Sequence, residues 1–244
     1  MLDNGIFEGE ILAAEDYSRV VNRIRPKILI AQDIINDDVN FNYDRAETFA
    51  TNIEQALAAT VDVTVKEYHP EIMCVMQKAS FNSLEDVSKV LQRFCDNPKL
   101  KWIGLCRDFA YQCFGAYTHT DDQELNRFVL GTWLQQQGWI EKFRTAGKKI
   151  HFLGIGDKVF LLQYAWYVDS ADTASFLWQA SFGSTLGNMG ILYTKYKRPY
   201  NYFEMTFGAH DQKLWAAVSQ NCYEAQRYAQ MADDLRRQLH GGRI

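Results

Sequence analysis

Short apolar runs that alternate with segments of helical period do most to restrict the fold of this chain. PKILIAQD at 26–33 reads as a buried strand, and NYDRAETFATNIEQALAAT at 42–60 sets Ala46, Phe49, Ala50, Ile53 and Leu57 on one face of a helix. EIMCVMQ at 71–77 is a second buried strand. Behind a Ser83 cap, LEDVSKVLQRF turns Leu84, Val87, Leu91 and Phe94 inward. LKWIGLC at 100–106 is a third strand, followed by a long helix over about 123–146. KIHFLGIG at 149–156 then runs into a Gly-x-Gly turn and a helix from Lys158, and YVDSAD at 167–172 ends a further short strand.

Strands that alternate with helices are parallel and joined by right-handed crossovers, so the class is α/β. Polar residues stand where the strands end: Asp3, Asp33, Gln77, Gly104 with Arg107, the glycines of 154–156, and Asp172. In a barrel these ends converge on one mouth, where catalytic groups are found, whereas an open sheet spreads them along an edge. The strands fall short of the eight of a full barrel. The missing ones are expected either upstream of Met1 or within 185–207.

The 244 residues, 47% of them hydrophobic, suffice for one large core, and no Gly-, Pro- or Ser-rich stretch divides them, so a single domain over 1–244 is expected. The longest apolar run, VFLLQYAWYV at 159–168, is interrupted by Gln163 and is shorter than the roughly 20 residues of a membrane span. No basic segment leads into an apolar one near the start, so a soluble, cytoplasmic protein is the expectation, with no membrane partner. Five widely spaced cysteines without a C-x-x-C pair argue against a disulfide framework or a cysteine zinc site.

A net charge of −4 argues against an extensive nucleic-acid-binding coat but leaves room for a local patch. In YTKYKRPYNYF at 193–203, Lys195, Lys197 and Arg198 are interleaved with tyrosines, a composition that tracks phosphates and stacks bases. Its plainer reading is a solvated hairpin with aromatic packing. The C-terminal segment 209–240 reads as a helix carrying Leu214, Val218, Tyr223, Tyr228 and Leu235, which either closes the barrel or pairs with a second subunit to give a homodimer.

The opening MLDNGIFEGE places Asp3-Asn4-Gly5 with almost no strand before it, as a hairpin turn, a frayed start or a strand end whose carboxylate does chemistry. Asp33 either caps its turn or accepts hydrogen bonds from a ligand. Gln77 offers a donor and an acceptor, suited to the edge of a heterocycle. Gly154-Ile155-Gly156 either holds a phosphate on backbone N–H groups or is simply a tight strand-to-helix turn. Of Asp169 and Asp172, three apart, one can serve as nucleophile while the other orients it, or either can cap a helix near Thr173. His151 within a strand reads as a core imidazole, and the histidines have no metal-binding spacing, so neither metal nor cofactor is expected.

Together, LDNGIFE (2–8), ILIAQDI (28–34), CVMQKA (74–79), KWIGLC (101–106), IHFLGIGD (150–157) and VDSADTAS (168–175) resemble the tRNA-guanine transglycosylase superfamily. The resemblance implies a TIM (β/α)8-like barrel, here incomplete at the N-terminus, and a pentosyltransferase that exchanges guanine in a polynucleotide for a 7-deazaguanine base. It places Asp172 on the nucleophile that attacks the sugar C1′, and Asp3 on the acid/base carboxylate. Phe7 falls on the aromatic that stacks on the base, Asp33 and Gln77 on the side chains that read its edges, Gly104 and Gly154 on base-site contacts, and Leu153 on the apolar floor.

Departures from the family pattern shift the expected substrate. After the nucleophile only Cys222 remains where the tRNA enzymes have a zinc subdomain. Lys78-Ala79 replaces two glycines, Gly104-Leu105 replaces another pair, and an LPTR-type run is missing. These features resemble the phage and bacterial branch that modifies DNA, with Lys195, Lys197 and Arg198 as DNA contacts and tRNA the weaker candidate. Two other readings are a base-salvage glycosidase that passes the sugar to water, and a non-catalytic binding or assembly protein.

Overall fold

A computed structural model describes residues 14–31, 39–60, 62–77, 80–119, 123–155, 162–172, 179–180, 184–185, 188–191 and 212–239. The chain divides into two compact units, Met1–Leu153 and Gly154–Ile244.

In the first unit, α1 (Ala14–Ile24) precedes β1 (Ile28–Ile30), then come α2 (Val39–Ala59), the single turn α3 (Val63–Lys66), β2 (Glu71–Met76), α4 (Leu84–Asp96) and β3 (Leu100–Leu105). After these, α5 (Arg107–Thr118), α6 (Gln123–Gln136) and α7 (Trp139–Thr145) lead to β4 (Lys149–Phe152). The four strands are parallel neighbours in chain order, β1-β2-β3-β4. That succession, with helices in each crossover, is an α/β fold and fits an incomplete α/β barrel.

Local chemistry accounts for the boundaries. Ser83 accepts from the Asp86 N–H while the Asp86 carboxylate accepts from the Ser83 N–H at 3.1 Å, a capping box that starts α4. Val87, Val90, Leu91 and Phe94 form its buried stripe, and Ala46, Ala50, Ile53 and Leu57 that of α2. The long helix expected over 123–146 is two helices. Gly138 adopts φ +73, and a left-handed residue ends the ladder after α6 before α7 begins. Helices α1 and α5 come in addition to the expected elements; α5 buries Phe109, Ala110, Cys113 and Phe114.

In the second unit a two-residue strand, β5 (Ser170–Ala171), lies where YVDSAD was expected to end one. Residues 184–191 lie in one of the two places expected to hold missing barrel strands. They hold an antiparallel pair, β6 (Ser184–Thr185) with β7 (Asn188–Ile191), while 192–207 of the expected 185–207 stretch lie outside the described residues. Two intervening residues cannot make a parallel crossover, which takes a dozen or more. The C-terminal helix α8 (Gln212–Leu239) buries Leu214, Ala217 and Val218 with Ala180 in a small core. Tyr223, further along the same helix, is 57% exposed. Among the described residues no helix is long and apolar enough to cross a membrane.

Candidate functional site

Because side chains alternate along a strand, one face of the first unit's sheet carries Ile28 and Ile30 of β1, Met73 and Val75 of β2, Trp102 and Gly104 of β3, and Lys149 and His151 of β4. The register aligns Val75, Gly104 and His151 in one row and Met73, Trp102 and Lys149 in the row below. Near the N-terminal ends, Glu71 accepts hydrogen bonds from Trp102 Nε1 and Lys149 Nζ, and Lys149 Nζ lies 4.8 Å from the center of the Trp102 ring. Burial pulls the Glu71 carboxyl upward, but the Trp102 and Lys149 hydrogen bonds and the positive charge of Lys149 outweigh it and hold the group below its ordinary value.

Toward the C-terminal ends stand three of the residues expected at the site. Gln77 follows β2 in phase with Met73 and Val75 and is buried. Leu153 follows β4 and packs half-buried against the cluster of Ile30, Met73, Val75 and Trp102. Gly104 lies where a Cβ would come within 2.9 Å of Leu153 Cδ1, 3.1 Å of Met73 Sδ and 3.2 Å of Val75 Cγ2. The missing side chain therefore lets Leu153 settle onto the sheet. His151 is buried in the same row as Gly104, consistent with a core imidazole.

Sequence reasoning missed Arg127. It is 1% exposed on α6, donates to the Leu153 carbonyl and lies 5.7 Å from the center of the Phe152 ring. Arg127, Leu130 and Leu134 share the buried face of α6. A cation inside an apolar stripe was the available signal.

In the second unit Gly154 takes φ +66, a left-handed conformation that glycine adopts without a Cβ penalty. Its N–H donates to Asp172 Oδ1 at 2.9 Å, and the next N–H, of Ile155, donates to the Asp172 carbonyl at 2.9 Å. Asp172 thus engages the N–H groups of Gly154 and Ile155, two of those offered for a phosphate. The carboxylate is exposed and its orientation is set by a charge-assisted hydrogen bond. Asp169 Oδ1 accepts from Arg236 of α8 at 3.2 Å, and Arg236 also donates to the Val168 carbonyl at 3.0 Å.

Asp172 also lines a cavity of about 430 Å³ between the 164–172 segment and α8, within the usual range for small-molecule sites. Among the described residues no group of three or more His, Cys, Asp or Glu side chains is arranged to hold a metal ion. Asp3, Phe7, Asp33, Lys195, Lys197 and Arg198 lie outside the described residues, as does the start of the helix expected from Lys158, of which 162–164 are described and helical. No protein-family model matches the chain, and no curated protein matches it.

Proposed function

We propose that the chain is a transglycosylase that exchanges guanine in DNA for a 7-deazaguanine base, with Asp172 as nucleophile. The observation that carries the reading is the exposed Asp172 carboxylate at the end of a short strand, oriented by the Gly154 N–H at 2.9 Å. A nucleophile that must reach an anomeric carbon needs exposure and a fixed direction together, and a backbone donor on a turn supplies the direction.

In the proposed reaction a carboxylate oxygen of Asp172 forms a bond to C1′ as the bond from C1′ to guanine N9 breaks. The transition state is oxocarbenium-like, and the departing base keeps the electron pair and takes up a proton from solvent water. The incoming 7-deazaguanine then loses its N9 proton to Asp3 and attacks C1′, expelling Asp172. Asp33 and Gln77 would read the donor-rich edge of guanine-like bases, which adenine lacks. Phe7 would stack on the extruded base, offsetting the unstacking cost of a few kcal/mol. Gln77 supports its part in being buried at a strand end, and Leu153 in forming an apolar surface beside Gly104. Lys195, Lys197 and Arg198 would track the DNA backbone.

The test is incubation with duplex or single-stranded DNA and labelled guanine or 7-deazaguanine. Label enters the DNA with wild-type protein and not with Asp172→Ala. Incorporation that survives this substitution removes Asp172 from the role, and release of free base without incorporation assigns a hydrolase instead. With Asp3→Asn, a covalent DNA adduct still forms while turnover falls.

A further inference from the structure

We infer that Arg236, on the C-terminal helix, is a positioning residue for the nucleophile, so that α8 belongs to the working parts of the site although it supplies none of the reacting atoms. The inference rests on the transglycosylase reading of Asp172. Its basis is how residues 168–172 are held. One side of this segment borders the cavity of about 430 Å³, whose α8 wall combines the small side chains of Ala225, Ala229 and Ala232 with Gln226 and Asp233. These fall at helical spacing on one face of α8, and Arg236 continues that face one turn further on. Alanines across a cavity give the segment little packing to fix its place.

Polar contacts take over that task at both ends of the segment. Arg236 donates through Nη1 to the Val168 carbonyl at 3.0 Å and to Asp169 Oδ1 at 3.2 Å. The pair is mostly shielded, with side chains 20% and 32% exposed, so solvent screens it less than a surface ion pair. Three residues on, the Gly154 and Ile155 N–H groups grip the Asp172 carboxylate and carbonyl. Releasing Arg236 removes two bonds at the 168–169 end and leaves it held by the Val168 N–H, which donates to the Tyr164 carbonyl at 3.0 Å, so the nucleophile then samples positions displaced from its attack line. A displacement of about 1 Å costs roughly a hundredfold in rate. Asp169 is thus the handle by which α8 holds the strand, and its charge serves Arg236.

Single-turnover formation of the covalent DNA adduct is compared for the full-length wild type, Arg236→Gln, Arg236→Lys, Asp169→Asn and the Asp169→Asn/Arg236→Gln double variant. Leu214→Ala, which loosens the buried core at the other end of α8, controls for stability. Arg236→Gln should slow adduct formation by about tenfold or more while the KM for the base stays within about threefold, because ground-state binding is untouched. Arg236→Lys should recover part of the rate, the double variant should be no slower than Arg236→Gln, and Leu214→Ala should lower the melting temperature with little effect on the rate.

A rate for Arg236→Gln within about threefold of wild type overturns the inference, as does a loss that merely follows melting temperature. Amide exchange separates this inference from the activity it rests on. If the wild type forms no adduct, the transglycosylase reading fails. Loss of protection at the Gly154 and Ile155 amides in Arg236→Gln then still supports the clamp, and unchanged protection refutes it.

Discussion

Gly104→Ala tests the close approach at the centre of the first unit's sheet. The added Cβ would stand 2.9 Å from Leu153 Cδ1, nearer than carbon atoms tolerate, and 3.1 and 3.2 Å from Met73 Sδ and Val75 Cγ2. Leu153 is the partner with room to yield, being half-buried after the end of β4, whereas Met73 and Val75 are buried in β2. Overpacking of this kind costs about 1–3 kcal/mol. Against it stands about 0.4–1 kcal/mol gained because alanine restricts the unfolded chain. The clash wins, leaving a net loss of about 1–2 kcal/mol, or a melting temperature lower by about 2–8 °C for a protein of this size. Leu153→Ala alone should cost about 1–2 kcal/mol, less than a fully buried leucine. In the double variant the alanine Cβ occupies space that Leu153 has vacated, so the combined loss should fall short of the sum by about 1 kcal/mol. Urea denaturation of the four proteins measures the cycle. A Gly104→Ala protein as stable as wild type, or strictly additive losses, would refute the packing of Leu153 against β3.

Other expectations concern charge and backbone. Glu71 has a depressed folded pKa, so its contribution is present above the unfolded value of 4.5 and lost as pH falls through the folded one. Glu71→Gln should therefore cost about 1–2 kcal/mol at neutral pH and flatten the acid limb of a stability-against-pH curve. Burial raises the thiols of Cys95 and Cys106 from 9.0 to about 11, so their contribution is complete below pH 9.0 and is lost as pH rises through the folded value. Denaturation midpoints should accordingly fall across that alkaline window, and maleimide at neutral pH, followed by intact mass, should spare Cys106 and Cys113 until the protein unfolds. Gly154→Ala has open space for its Cβ but must keep φ +66, so it should cost about 1–2 kcal/mol and weaken the hold on Asp172, read as loss of amide protection at Ile155.

The strands and helices of the first unit were legible where a single physical signal governed them. β2, β3 and β4 are buried on both faces and read as unbroken apolar runs, and α4 announces itself through Ser83, Asp86 and the Val87–Leu91–Phe94 stripe. What escaped reading depended on a finer signal or on partners remote in sequence. Helix α1 buries Tyr17 and Val21, a stripe too narrow to stand out among its polar residues. The break between α6 and α7 rests on one glycine, Gly138, whose left-handed backbone only the fold displays. Within 185–207, offered as a place for missing barrel strands, β6 and β7 are separated by two residues, which leaves only an antiparallel arrangement.

The site was legible as residue types and much less so as relations between them. Gln77, Gly104 and Leu153 could be singled out because each ends or nearly ends an apolar strand, but an unbroken apolar run does not fix which face each one takes. Alternation could not show that Gly104 is small so that Leu153 can lie down on it, because that depends on the register of β3 with its neighbours. Gly154 and Asp172 were singled out separately, one as a phosphate or base contact and the other as a nucleophile, 18 residues apart. A hydrogen bond of 2.9 Å joins them, and it exists because a left-handed glycine turns its N–H toward the strand end. The glycine's part is thus to aim a carboxylate. By the same logic the Asp169 charge, which the spacing alone offered as an orienting partner for Asp172, is taken up 67 residues away by Arg236. Sequence distance hides such partners because a helix brings its last turns back to a strand that ended long before, and only tertiary packing decides which turn meets it.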